Sequence, residues 1–283
     1  MRDRPSRRQA TNDGLKFRGV PESQGEITLA VRKTLVVGLG EVGEPLARIL
    51  ERCAPVMRQD LEPREFNEPA GTMHICFPFT DGAKFIEAAI GYIKRFNPEL
   101  TIINSTVLPG TTRAIARVAK VPICYSPVRG KHTRMTEALL DYTKFVAGND
   151  DEAVTAGIEH FQFAGMKTQR IRSLETLELA KLAETTYFGV CIAFAQELNR
   201  YANATGADYD EAVEFFKEVE FLPAQTYFPG FIGGHCVIPN IDLLLKVASS
   251  PLLEAVLDSN QRRAREIAAS SDACPEVSKG AKA

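Results

Sequence analysis

Tryptophan is absent from this chain of 283 residues, and histidine occurs only four times. None of the imidazoles stands at metal-ligand spacing in the sequence, so no resident metal is expected. The six cysteines, Cys53, Cys76, Cys124, Cys191, Cys236 and Cys274, contain no C-x-x-C pair. That argues against a zinc ribbon or a disulfide framework and points to a reducing, cytoplasmic setting. Cys53, Cys76, Cys124 and Cys191 lie in apolar stretches and read as small core residues. A run of about 18 apolar residues is missing, so no membrane span is expected. Excess charge of one sign is missing too: 34 Lys and Arg stand against 36 Asp and Glu, for a net charge of −2. No basic field therefore invites nucleic acid. Basic residues cluster only at Arg2, Arg4, Arg7 and Arg8, and no apolar core follows them as a targeting signal would require. Residues 1–30 read as a disordered leader.

What is present is a composition 45% hydrophobic and 25% charged, ample for two domains. Short apolar runs begin at Lys33-Thr34-Leu35-Val36-Val37 and recur at 56–58, 74–77, 100–104, 121–125 and 145–147. Helical patterns separate the earlier of these, at 44–52, at 81–96 with Asp81 as N-cap, and after Pro109. This alternation predicts an α/β domain over 31–172, a Rossmann-type doubly wound parallel sheet. A helix at 152–164 and an edge strand at 168–171 close it. An all-helical domain over 173–270 follows, with one long central helix at 174–205 that ends on Gly206. Shorter helices are expected at 208–217, 241–248 and 251–269, and residues 271–283 read as a disordered tail.

Gly38-Leu39-Gly40-Glu41-Val42-Gly43 fits G-x-G-x-x-G between the first strand and the first helix. Gly38 permits the tight turn, Gly40 the approach of a pyrophosphate, and Gly43 close packing of helix on strand. The helix N-terminus, with Glu41 and Val42, then faces the phosphates. Asp60, about 20 residues on, suits the ribose hydroxyls and so NAD. Arg58 nearby blurs NAD against NADP, and Asp60 can equally be a solvated carboxylate. Ser105 and Thr106 follow the fourth strand, where the ligand crevice of such a sheet lies. Their hydroxyls can face a nicotinamide or a reacting oxygen, or cap a helix.

Lys181 sits among Leu177, Leu179, Ala180, Leu182 and Ala183. Held in a desolvated site, its amine would suit proton shuttling; on the surface it would pair with Glu178. Cys236 closes Phe231-Ile232-Gly233-Gly234-His235-Cys236, where glycines allow close approach to the sulfur. It is the leading nucleophile or, failing that, an inert loop thiol. His74, His132 and His160 read as structural or solvated.

Together these segments resemble the UDP-glucose/GDP-mannose dehydrogenase family, especially its UDP-N-acetylmannosamine-type branch. The stretches that carry it are 38–43, 105–112, Tyr125-Ser126-Pro127, 178–199 and 229–236. The resemblance implies oxidation of a sugar primary alcohol with two NAD, and dimerisation through the long helix. It implies catalytic roles for Thr106, Lys181 and Cys236, with Cys236 carrying a thioester. The family has glutamate where this chain has Val128, asparagine at Thr185 and aspartate at Asn240. It also has a third, nucleotide-binding domain, which is not expected within these 283 residues.

The expected function is an NAD-dependent oxidoreductase acting on an alcohol of a sugar-like polar small molecule, as a homodimer. Two alternatives are a non-catalytic NAD-binding or partner-binding paralogue and a 3-hydroxyacid dehydrogenase-like reductase. The cysteine segment speaks against the latter, whose chemistry needs no thiol.

Overall fold

The computed structural model describes residues 33–62, 64, 66, 69–216, 219 and 227–272, with side chains described to residue 270. The expected leader, the tail and Cys274 lie outside these residues.

Seven strands form one sheet in the order β2-β1-β3-β4-β5-β6-β7. They are β1 (Thr34–Val37), β2 (Val56–Gln59), β3 (Thr72–Ile75), β4 (Leu100–Ile103), β5 (Ile123–Tyr125), β6 (Lys144–Gly148) and β7 (Thr168–Arg170). The chain steps from β1 outward to β2 and then crosses to β3 on the other side of β1. That reversal opens a crevice at the carboxyl end of β1, where the glycine turn sits.

β1 through β5 run parallel, as their near-continuous apolar sequences require of strands buried on both faces. The expectation of an all-parallel sheet fails at β6, which pairs antiparallel with β5 while β7 runs parallel to β6. A parallel crossover must carry the chain back along the sheet, usually on a helix. Here the connection 126–143 holds only a 3-10 turn (His132–Arg134) and a seven-residue helix, α4 (Met135–Asp141). It packs α4 beside α1 and returns the chain antiparallel.

Helices cover both faces. α2 (Gly82–Phe96) and α3 (Thr111–Ala119) close one core around Leu35, Ile75, Ile103 and Tyr125. α1 (Gly43–Leu50), α4 and α5 (Asp151–Phe163) close the other around Val36, Ile102 and Val146. Asp81 caps α2 by accepting from Lys84 N at 2.8 Å. The sheet ends at Arg170 and α6 (Leu174–Thr205) starts four residues later, capped by Ser173 and stopped by Gly206 at φ 70°. α6 is about 48 Å long. It packs against α8 (Val237–Val247) and α9 (Pro251–Asp272), and also contacts the short α7 (Tyr209–Glu214).

Leu174 and Leu177 enter the sheet's own core, so both halves belong to one compact unit. Glu178 joins them electrostatically rather than bridging to Lys181. It is fully buried, and its carboxylate accepts from Gly110 N at 2.6 Å and Thr112 N at 2.9 Å. An acid on one helix thus satisfies free N–H groups at the start of another. Burial pushes its carboxyl up, and these donors pull it back. Cys53 departs from the expected core role and is exposed; Cys191 is half-buried. Among the described residues no helix is long and apolar enough to cross a membrane.

Candidate active site

The glycine turn forms for steric reasons that can be read atom by atom. Gly38 has φ 88°, and a Cβ there would come 2.7 Å from Phe77 N. A Cβ on Gly43 would lie 1.8 Å from Gly38 O, so only glycine lets α1 close on β1. A Cβ on Gly40 would meet nothing within 4 Å, because this position faces the open crevice. Two glycines are demanded by protein packing and the third leaves room for something else. That is the shape required of a pyrophosphate cradle.

The crevice continues into a cleft of about 450 Å³, within the size range of small-molecule sites. Gly40, Glu41 and Val42 line it, with Ser105 and Thr106 from the end of β4, Lys181 and Thr185 from α6, and Cys236 and Asn240 around the start of α8. Apolar walls come from Phe77, Phe79, Val128, Met135 and Leu243. Residues far apart in sequence therefore converge on one space. Asp60 is not part of this lining and lies exposed just beyond β2. Arg58 is engaged elsewhere: it donates to Glu51 Oε2 at 2.8 Å and Glu44 Oε2 at 3.3 Å, both on or beside α1.

Ser105 lines the cleft and also has a structural bond. Its hydroxyl donates to Phe77 O at 2.6 Å and tethers β4 to the end of β3. Neither it nor Thr106 caps α3, whose N-cap is Gly110.

Cys236 is fixed by amides of the helical half. Asn260 of α9 accepts from Ile232 N at 2.7 Å and donates to Ile232 O at 3.1 Å. Gln196 of α6 donates to Gly230 O at 2.7 Å. Both amides are buried, so they hold the backbone leading into Gly233 and Gly234 as a rigid edge. Gly234 takes φ 76° and Cys236 becomes the N-cap of α8. Burial raises the thiol, Lys181 lowers it and Glu41 raises it further. Burial in turn lowers Lys181 below the usual lysine range, opposed by Glu184 and Cys236 and assisted by Arg129. Arg129 and Glu184 face each other at 2.9 Å.

His132 belongs to this site, contrary to its reading as structural or solvated. Its Nε2 lies 3.1 Å from Cys236 Sγ, and its Nδ1 2.5 Å from Glu41 Oε2. The latter is an ion-pair contact off the line of a good hydrogen bond. Glu41 Oε2 also lies 2.7 Å from His235 Nε2, and the two rings meet edge-on with centroids 4.7 Å apart. His132 and Cys236 are 104 positions apart, and no local pattern signals their meeting. The donor atoms of His132, His235 and Cys236 fall within 4.8 Å of one another.

Two further arrangements were hidden from sequence. Asn240 Nδ2 donates to Thr185 Oγ1 at 2.6 Å, so two positions that differ from the resembled family satisfy each other. Beneath the cleft, Lys144 is buried and donates to Ser126 O at 2.7 Å, Pro127 O at 3.2 Å and Asn104 Oδ1 at 3.4 Å. Burial pulls its amine down to about 7.

Residues 175–262 match the model of the UDP-glucose/GDP-mannose dehydrogenase family, central domain. The chain is related to that family. UDP-N-acetyl-D-mannosamine dehydrogenase of Methanocaldococcus jannaschii is 28% identical over 185 residues, 60% of this chain and 43% of that protein. The chain thus spans less than half the length of that UDP-glucose/GDP-mannose-type relative. The solved UDP-D-ManNAc dehydrogenase of Pyrococcus horikoshii superposes with a TM-score of 0.74 at 22% identity, over 84% of this chain and 70% of that one. Mycobacterium tuberculosis 3-hydroxyisobutyrate dehydrogenase shares the fold with a TM-score of 0.65 at 15% identity, over 84% of this chain and 94% of that one.

Proposed function

We propose that the protein is an NAD-dependent oxidoreductase acting on an alcohol of a sugar-like polar small molecule, through a nucleotide-sugar-dehydrogenase-like core with an altered catalytic set. The observation that carries this reading is convergence: the glycine turn, Thr106, Lys181 and Cys236 line one cleft. The residues fit a dinucleotide, because Gly40 opens toward the crevice while Gly38 and Gly43 admit no side chain. Bound there, the nicotinamide would supply a hydride acceptor. The backbone at Gly40, Glu41 and Val42 would hold the pyrophosphate, and Asp60 the ribose hydroxyls. Arg58, held by Glu44 and Glu51, is not free to meet a ribose phosphate, which favours NAD over NADP.

Thr106 and Lys181 would sit at the substrate oxygen. Burial lowers Lys181, so its neutral form, the one able to take a proton, appears at a lower pH than for an ordinary lysine. Cys236 is the nucleophile for a second, covalent stage. Thr185 and Asn240 form a neutral pair beside it.

The test is to supply NAD and a series of nucleotide sugars, counting reduced nicotinamide and acid product per sugar consumed. Cys236→Ala should lower acid formation at least ~100-fold. Unchanged acid formation would remove the covalent role. Cofactor binding with no reduction by any alcohol supplied would favour the non-catalytic reading.

A homodimer is part of this proposal. Leu179, Tyr187, Phe188, Phe194 and Tyr201 of α6 are exposed, more apolar surface than a solvated helix ordinarily carries. A second copy laid along α6 would cover it. Light scattering should give twice the chain mass at micromolar concentration, and a monomer would refute the arrangement.

A further inference from the structure

We propose that His132, with Glu41 beside its ring, is the general base that deprotonates Cys236. The proposal deepens the reading above and rests on it only for the use to which the thiolate is put. Three groups lie in series: Sγ is 3.1 Å from Nε2, and Nδ1 is 2.5 Å from a carboxylate oxygen. A nucleophile, a base and a group that steadies the base are the parts a covalent site requires. In the tautomer that lets Nε2 accept from the thiol, Nδ1 carries its hydrogen on the side of Glu41. The S–H bond breaks, an N–H bond forms on Nε2, and sulfur keeps the electron pair. No oxidant is consumed. The carboxylate offsets the charge that appears on the ring.

The other neighbours do not serve as the base. Lys181 acts on the sulfur from α6 through its charge, and among the described residues no hydrogen bond joins its amine to Sγ, whereas His132 Nε2 is in contact with it. His235 turns Nε2 toward Glu41. Arg129 and Glu184, which face Lys181, pair with each other. Val128 contributes only an apolar wall, and this matters because the resembled family has a glutamate there. His132 lies four residues farther along the same β5–β6 connection. This loop thus carries an apolar side chain at 128 and an acid–base group at 132.

Burial disfavours a standing thiolate, Lys181 opposes it in part and Glu41 adds to it, so a base in contact with the sulfur has most to contribute below the thiol's own titration. The experiment follows alkylation of Cys236 in the full chain by iodoacetamide between about pH 5.5 and 9.5, resolved peptide by peptide by mass spectrometry. Thiolate carbon–sulfur bond formation expels iodide, with neither NAD nor sugar present, so a failed dehydrogenase assay leaves this test intact. The wild type should show a reactive shoulder below about pH 7.5. His132→Asn should lose it, slowing about 10-fold or more near pH 6.5 and converging with the wild type at the alkaline end. Superimposable profiles would overturn the proposal. So would uniform slowing at every pH, which reports access rather than proton transfer. Cys124, fully buried, reports folding in the same sample by staying unlabelled. If it is labelled in His132→Asn, Glu41→Gln carries the test: a weakened shoulder supports the proposal and an intact one overturns it.

Discussion

Lys181→Met is expected to lower turnover about 10²–10⁴-fold while sparing cofactor affinity. Methionine keeps most of the apolar stem and its packing on α6, so the loss is confined to the amine. That amine does two things in the cleft. It can exchange a proton with the substrate oxygen, and its charge favours the thiolate of Cys236. Because burial lowers Lys181, its neutral form appears at a lower pH than for a free lysine. Turnover in the wild type should therefore rise with pH through that lowered value, and the variant should lack this limb. Steady-state pH profiles with calorimetric NAD binding check both halves. Wild-type turnover in the variant, or an equal loss of NAD binding, would show that Lys181 has a different job.

Lys144→Met is expected to change how stability depends on pH. The folded-state value of this buried amine is about 7, against an ordinary 10.5. Between those two values the unfolded chain binds a proton that the folded chain does not, so stability rises with pH across this window. Below about pH 7 the cost of holding the ammonium is fully present, and above about 10.5 it is gone. The span corresponds to roughly 3–5 kcal/mol. Methionine removes the titration but leaves the carbonyls of Ser126 and Pro127 without their donor. The variant should therefore fare best against the wild type near pH 6 and worst near pH 10, as read from urea midpoints. Parallel stability curves would mean that Lys144 does not titrate in this window.

How much of this was legible in the sequence depends on whether the cause was local. The span 174–205 of α6, with its Gly206 stop, follows from periodicity and a cap within a few residues. Asp81 and the glycine turn are legible for the same reason, since their steric and hydrogen-bonding demands fall on neighbours. Lys181 and Cys236 were identifiable by type and setting, and their convergence on one cleft required the fold. Glu178 was misread because Gly110 and Thr112, whose N–H groups it satisfies, are 66 to 68 residues away. His132 was passed over because it stands alone among basic and polar neighbours. Lys144 was invisible because a charged residue at the head of a strand ordinarily marks a surface. The reversal of β6 could not be foreseen from strand sequences, which are equally apolar in either direction.

That reversal has a consequence for how the chemistry can diverge. A parallel crossover has a minimum length and must pack along the whole sheet, so its residues are constrained by the core. The connection between β5 and β6 turns back on the side where it arrives; Val128 and Met135 still pack in the core, while half-buried His132 lines the cleft. His132 can be exchanged there with little penalty to the sheet, because it is outside both of the sheet's core clusters. One antiparallel pair thus places a reagent-bearing position, His132, between segments that folding holds fixed.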